Sequence, residues 1–523
     1  MQGSAAGADA LRKIVDDLQR SLGPHDGAPK GEVIETHISV LLLAGRYAYK
    51  FKKPVNFGFL DFSTLEQRRH FCEREVELNR RAAPDLYCGV IKVVRGASGA
   101  EFSETGSPIE YAVKMRRFEA TAILDRRLAD GLLGRRSIRA LADSVAHLHT
   151  LAPRAEDGSP YGSPSMVAAQ LTGAFETLRD GAALGGIEVL AGDCVDRSVT
   201  TIAARQRCGA VRQCHGDLHL SNVLMLDGHF IPFDCIEFSD ELSWIDTCSD
   251  IAFLVMDLDV RGEPGLANVF LNRYLEITGD YAALALLRLY TTYRTLIRAK
   301  VALLAVTQEG AAAQVRCQRH LDLAVRYLGT PVPGPLIITH GLSGSGKSYV
   351  SELLAGQNGY LHIRSDLERR RLAGLAADAR TEGALGDGIY DADYTAQTYD
   401  ALLAAATYAL RAGFGVIIDA TFLHQQRRQM FQALSQSLGA SFYILDCAAP
   451  LTQLRERITT RQQHATDPSE ATLDVLERQL QMREPLTDEE AASAIAISPG
   501  NIDELLASKL ADLGASRMMT EFP

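Results

Sequence analysis

His215, Asp217, Asn222 and Asp234 fall within HGDLHLSNVLMLDGHFIPFD, residues 215–234, at spacings that suit phosphoryl transfer. That reaction asks a protein for a carboxylate beside the attacking hydroxyl, oxygen ligands for magnesium, and cations on the phosphates. Asp217 would accept or orient the hydroxyl proton. Asn222 can turn back from the same loop to offer a neutral oxygen. Asp234 follows FIPF, an expected strand that returns its carboxylate to the metal. Magnesium favours hard oxygen ligands of this kind.

A second set begins more than a hundred residues later. GLSGSGKS, residues 341–348, is a complete G-x-x-x-x-G-K-S loop between the apolar run PLIITH and the helical run YVSELLAG. Gly341, Ser343, Gly344, Ser345 and Gly346 would curve backbone N–H groups around phosphate oxygens, with the positive end of a helix behind them. Lys347 would reach the terminal phosphates, and the Ser348 hydroxyl would take magnesium. Ser365 and Asp366 end the next strand, where Asp366 could meet a substrate hydroxyl. FGVIID closes on Asp419, the expected second-sphere or direct magnesium carboxylate. Arg457 and Arg461 lie four apart on one helix face, placed to neutralise charge on the transferred group from a lid. This helix leads into a loop and a further helix expected to be capped at Asp467-Pro468. Arg455 and the Arg369–Arg371 run read as solvated helix residues, and Cys447 as packing.

These side chains need two kinds of scaffold. After the seam GTPVPGPL (329–336), five apolar runs (PLIITH, YLHI, FGVIID, SFYILD, AIAIS) alternate with helical patterns. That alternation implies a five-stranded parallel sheet with helices on both faces. Before the seam, SVLLLAGRYAYKFKK reads as two strands joined at Gly45-Arg46, TLEQRRHFCEREVELNRRAA as a helix, and EYAVKMRRF as a strand. Helices dominate from about residue 135. The fold class is therefore α+β then α/β, a small strand-rich lobe and a large helical lobe followed by a P-loop domain. The expected boundaries are a helical extension at 1–30, the two-lobed domain at 31–328, a linker at 329–335, the P-loop domain at 336–515 and a tail at 516–523.

The order H-G-D-x-x-x-x-N and then apolar-Asp resembles the catalytic and metal-binding segments of aminoglycoside phosphotransferases and related small-molecule kinases, over roughly residues 30–325. The resemblance implies a protein-kinase-like fold, a structural role for His215, and a buried brace for the loop from Asp250. It also implies a strand lysine on the phosphates paired with a helix glutamate: Lys50 with Glu75, Lys52 and Glu73 being the second candidates. Glu237 is a further candidate at the metal, and Met115–Phe118 would form the hinge beside the base. No G-x-G-x-x-G precedes Lys50, so THISV (36–40) would cover the phosphates. Residues 334–515 resemble the P-loop kinases related to polynucleotide kinase, gluconate kinase and the zeta-toxin type, where Asp366 matches the hydroxyl-activating aspartate. The two-part order looks like bacterial fusions of these two domain types.

The 523 residues include 46% hydrophobic and 23% charged positions, the balance of a globular protein. No apolar run is long enough for a membrane span, and nine scattered cysteines without C-x-x-C spacing fit a reducing compartment. A cytoplasmic address is expected. A net charge of −11 disfavours non-specific nucleic-acid binding. The leading expectation is a double kinase using Mg2+ and ATP, with GTP left open at the first site, acting on a small hydroxyl-bearing metabolite. Two alternatives concern the P-loop half: a nucleotide-sensing module, or a polynucleotide 5′-hydroxyl kinase. Oligomeric state is not legible.

Overall fold

Lys50 and Lys52 lie on one face of a strand whose other face is apolar, and that alternation organises the first sheet. The computed structural model describes residues 5–22, 31–58, 60–375, 392–464 and 471–498. The expected cap at Asp467-Pro468 and the tail at 516–523 lie outside the described residues. By proximity the chain divides into two units, Met1–Met166 with Ala203–Leu254 and Val167–Ile202 with Val255–Pro523.

The first unit holds a six-stranded antiparallel sheet: β1 (Glu32–Glu35), β2 (Ser39–Ala44), β3 (Tyr47–Lys52), β4 (Tyr87–Gly96), β5 (Gly99–Phe102) and β6 (Pro108–Arg116). Their order is β1-β2-β3-β6-β4-β5. Side chains alternate across β3. Tyr49 and Phe51 pack with Val40, Leu42 and Val93 under Leu11, Val15 and Leu18 of the helix Ala5–Ser21. Ala48, on the opposite face, packs with Cys72 and Val76 of the helix Leu65–Asn79. That helix starts at a capping box in which Thr64 and Gln67 bond each other's backbone. Sequence patterning pointed to β2, β3 and β6 but left β1, β4 and β5 unassigned. Beyond the sheet, β7 (Val211–Gln213) will pair with a later strand, and β8 (Val223–Leu226) forms a hairpin with β9 (His229–Pro232). The partner of β7 is β10 (Trp244–Asp246).

The second unit contains long helices, among them Pro264–Thr278, Leu284–Leu304 and Ala311–Leu328, and one parallel sheet. Its strands are β11 (Leu336–His340), β12 (Leu361–Arg364), β13 (Val416–Asp419), β14 (Phe442–Cys447) and β15 (Ala494–Ile497), ordered β12-β13-β11-β14-β15. These are the five expected runs, and the fold is that of a P-loop domain. β11 is central and buried along its whole length. Ile337, Ile417 and Leu445 from its three central strands pack against Val350 and Leu354 of the helix Lys347–Asn358. The edge strand β12 is capped by side chains of the helix Pro264–Thr278. Asn272 accepts from the His362 N–H (2.8 Å) and donates to the Tyr360 carbonyl (3.0 Å), and Asn268 donates to the Gly359 carbonyl (2.8 Å). Among the described residues no helix is long and apolar enough to cross a membrane, and no disulfide joins the nine cysteines.

Candidate functional site

The loop after β7 is shaped by one buried carboxylate. Asp250, in the first turn of the helix Thr247–Val260, accepts from the His215 N–H (3.1 Å) and the Gly216 N–H (2.9 Å) and meets His149 Nε2 at 3.1 Å. Gly216 has φ +82°, and a Cβ there would lie 2.6 Å from the Leu242 carbonyl oxygen, so only glycine makes this turn without strain. His215 Nε2 donates to the Phe233 carbonyl (2.8 Å) while its Nδ1 accepts from the Asp217 N–H (3.3 Å). One neutral tautomer satisfies both bonds, and burial lowers the His215 pKa accordingly. The imidazole thereby ties the Asp217 loop to the strand end that carries Asp234.

Asn222 joins the two acids. Its Nδ2 donates to Asp217 Oδ2 and to the Asp217 carbonyl, each at 2.9 Å, which leaves Oδ1 for a cation. Its own carbonyl accepts from the Phe233 N–H (3.0 Å), so Asn222 and Asp234 flank the open end of the β8–β9 hairpin. Asp234 takes φ +62°, a left-handed conformation favoured by few side chains. Its N–H is held by the Tyr87 hydroxyl (3.0 Å). Such strain concentrates at sites where a carboxylate must point in one direction. An amide oxygen and a carboxylate across one hairpin mouth suit a hard divalent cation in donor chemistry and placement.

Both lysines of β3 share the carboxylate of Glu75. Lys50 Nζ bonds Glu75 Oε1 at 2.8 Å and contacts Asp234 Oδ1; Lys52 Nζ bonds Glu75 Oε2 at 2.7 Å and contacts Glu237 Oε1. Burial acts to neutralise Lys50, Lys52, Glu75 and Glu237. The lysines nevertheless outweigh it at Glu75, holding that carboxyl down at about 2, and the surrounding acids outweigh it at Lys50 and Lys52, raising both. Lys52 is 1% exposed against 12% for Lys50, so only Lys50 can reach a ligand without rearrangement. Glu237 faces Lys52 rather than the hairpin mouth, and Glu73 pairs with Arg69 on the surface. Of the nearby acids, Asp246 is bound on both oxygens by Arg205 (2.7 and 2.8 Å) and Asp240 by Arg74.

The second loop follows β11. Gly341 (φ +142°) passes so near β14 that a Cβ would come within 2.3 Å of the Cys447 carbonyl oxygen. Lys347 is buried; its Nζ donates to the Leu342 carbonyl (2.8 Å), and burial lowers its pKa against the opposing pull of Asp419, Cys447 and Asp366. Asp419 ends β13 in register with Arg364 of β12. Burial opposes its charge, but His362 (3.2 Å), Arg364 and the Ser348 hydroxyl hold its pKa at about 2. Ser348 and Asp419 therefore form a second pair of hard oxygens. Asp366 lies in the first turn of the helix Ser365–Leu372. Arg457 Nη1 donates to the Gly344 carbonyl (3.0 Å), and Arg461 acts electrostatically on Lys347, whereas Arg455 pairs with Glu477 away from the loop. The Arg369–Arg371 run divides: Arg369 bonds Thr395, Arg370 is buried, and Arg371 donates to the Glu276 carbonyl. Gln479 escaped the sequence reading. Its Oε1 accepts from the Ser343 N–H at 2.8 Å. The only signal was a polar side chain on the apolar stripe of Val475 and Leu476.

Two family models match the chain. One described as the phosphotransferase enzyme family spans residues 61–287, and one described as an AAA domain spans residues 336–486. The chain is 32% identical over 420 residues to Rv2004c, an uncharacterized protein of Mycobacterium tuberculosis (strain ATCC 25618 / H37Rv), covering 79% of this chain and 82% of that protein. Among solved structures it is similar to a choline/ethanolamine kinase family protein from Mesorhizobium loti, at 14% identity and TM-score 0.38 over 61% of this chain and 96% of that one. It is also similar to a gluconokinase from Sinorhizobium meliloti 1021, at 24% identity and TM-score 0.24 over 35% of this chain and 93% of that one.

Proposed function

Because the chain belongs to the family of that mycobacterial protein, a phosphotransferase-enzyme domain fused to a P-loop kinase-like domain, we propose that it is an ATP-dependent double kinase with two separate magnesium sites. In the first, Asp217 orients the acceptor hydroxyl and holds its proton, Lys50 engages the phosphates, and Asn222 and Asp234 hold the metal. Bound magnesium would neutralise charge on the phosphate oxygens. In the second, the amides of 341–348 and Lys347 hold the triphosphate, Ser348 and Asp419 the metal, and Asp366 the acceptor hydroxyl. Arg457 and Arg461 stand over the phosphates.

The observation that carries the reading is the Asn222 bridge, which binds Asp217 through Nδ2, leaving Oδ1 for a cation, from the residue whose carbonyl closes the hairpin onto Phe233, next to Asp234. The first acceptor is a small neutral or weakly charged metabolite. A polycation would need free carboxylates, and Asp240 and Asp246 are both engaged by arginines. A nucleotide-sensing role for the P-loop half draws support from Asn268 and Asn272, which tie the helix Pro264–Thr278 to β12.

Incubation of the full chain with γ-labelled ATP or GTP and a bacterial metabolite extract tests the reading. Asp217→Asn should remove one set of labelled products and retain nucleotide binding, and Lys347→Ala should remove another set. Wild-type turnover in Asp217→Asn would exclude that base. Products lost only in Asp217→Asn would leave the P-loop half as a sensor.

A further inference from the structure

Gln479 lies on the helix Leu473–Met482, which Thr472 caps by accepting from the Val475 N–H at 3.3 Å. Its neighbours on the buried stripe, Val475 and Leu476, are apolar, and Leu476 packs with Leu342, Leu454 and Ile458 around the phosphate loop. A leucine at 479 would extend that cluster. The chain instead buries a carboxamide there, 7% exposed, against a loop residue that is itself 8% exposed. Burying an amide costs free energy unless its groups are bonded, so the polar choice needs a cause.

Half of the cause is visible. The Ser343 N–H belongs to the loop that cradles phosphate, and Gln479 Oε1 accepts from it at 2.8 Å. A backbone N–H can only donate, which fixes the amide's orientation: Oε1 faces Ser343 and Nε2 faces away from it. Among the described residues Nε2 has no hydrogen-bond partner, and it is not among the atoms sealed from solvent without one. An uncommitted N–H donor thus stands on a side chain that already touches the phosphate loop. Lys347 Nζ rests on the Leu342 carbonyl, Arg457 on the Gly344 carbonyl, and the Ser345 hydroxyl is buried without a partner among the described residues.

We infer that Gln479 is a phosphate-contacting, specificity-determining residue of the P-loop site, presenting Nε2 as an uncharged donor to a nucleotide phosphate oxygen while Oε1 stays locked on the Ser343 amide. The inference rests on the proposal that this loop holds a nucleoside triphosphate. It differs from a purely architectural role in one respect. A cap on Ser343 needs only an acceptor, whereas a phosphate contact needs a donor and cannot tolerate negative charge.

Two substitutions separate these roles. Gln479→Glu keeps the acceptor and strengthens the bond to Ser343, because an ionised acceptor binds an N–H more tightly than a neutral one. It also places a carboxylate against the phosphates. Gln479→Lys abolishes the acceptor and adds a cation. The full chain is titrated calorimetrically with Mg2+ and a non-hydrolysable ATP analogue, and the component lost in Lys347→Ala is assigned to the loop. Gln479→Glu should weaken that component at least tenfold, with partial recovery as the pH falls toward about 5 and the carboxyl protonates. Gln479→Lys should retain or tighten it. Wild-type affinity in Gln479→Glu, or a collapse in Gln479→Lys, would overturn the inference. Thermal melting identifies a variant that fails to fold, in which case the other decides. Should Lys347→Ala remove no component, the nucleotide reading of the loop fails and the role of Gln479 falls with it, whereas a component that Lys347→Ala removes and Gln479→Glu leaves intact overturns the role of Gln479 alone.

Discussion

Lys50 and Lys52 share Glu75, yet their surroundings assign them different work. Lys50 sits at the mouth beside Asp234; Lys52 is sealed between Glu75 and Glu237. Lys50→Ala should lower the rate of phosphoryl transfer by about 10²–10³, the usual cost of losing one preorganised charge, with a small change in melting temperature. Lys52→Met should instead destabilise the fold by roughly 3–5 kcal/mol, because it strands Glu237 as a buried charge. Initial rates with labelled ATP and urea melts of both variants check the division, and the reverse pattern would exchange the two roles. At this scale the sequence was legible where chemistry is local. His215 to Asp234 span one loop and one hairpin, and 341–348 one turn, so type and spacing together picked them out as candidates. The pairing of Lys52 with Glu237 and of Ser343 with Gln479 joins positions 185 and 136 residues apart, and no spacing rule reaches that far.

A contact between two helices carries a titrating group. Asp259, on the helix Thr247–Val260, is buried and accepts from the Tyr327 hydroxyl of the helix Ala311–Leu328. Burial outweighs that bond and raises its pKa from 3.8 to about 7. The folded state therefore keeps its proton over a range in which the unfolded chain has lost it. Stability from this group is full below about pH 4 and declines as the pH rises toward 7, by at most about 4 kcal/mol at 1.36 kcal/mol per unit. Asp259→Asn should flatten that slope and melt above wild type at pH 8; unchanged pH dependence in calorimetry would reject it. The elements themselves were unequally legible. The five parallel strands announce themselves because burial on both faces makes them continuous apolar runs, such as LIIT and VII. β4 and β5 stayed hidden because their exposed positions dilute the pattern: β4 carries Lys92 and Arg95, and β5 only four residues. That β4 lies beside β6 rather than β3, with β5 beyond it at the edge, depends on pairings that no local pattern records.

Across the whole chain, the Gly/Pro seam at 329–336 is a change of composition but not an end of contact. Asn268, Asn272, Arg288 and Glu276 precede it, and all bond residues that follow it. A fragment beginning at residue 334 should therefore melt below the same domain in the full chain. At about 1 kcal/mol per neutral hydrogen bond the deficit is several kcal/mol, and a fragment beginning at 255 should recover most of it. Equal transitions in calorimetry would count against this view. The sequence exposed the seam because glycine and proline are conspicuous; it concealed the asparagines because a polar residue on a helix resembles any solvated position. At the first site, two ammonium groups answer four carboxylates, Glu75, Asp234, Glu237 and Asp217. A naked triphosphate approaching that cleft meets an unfavourable field, while one already carrying its counterion does not. In the proposed reaction the ion would thus be an admission condition as well as a reagent, and nucleotide and cation should arrive as a single guest.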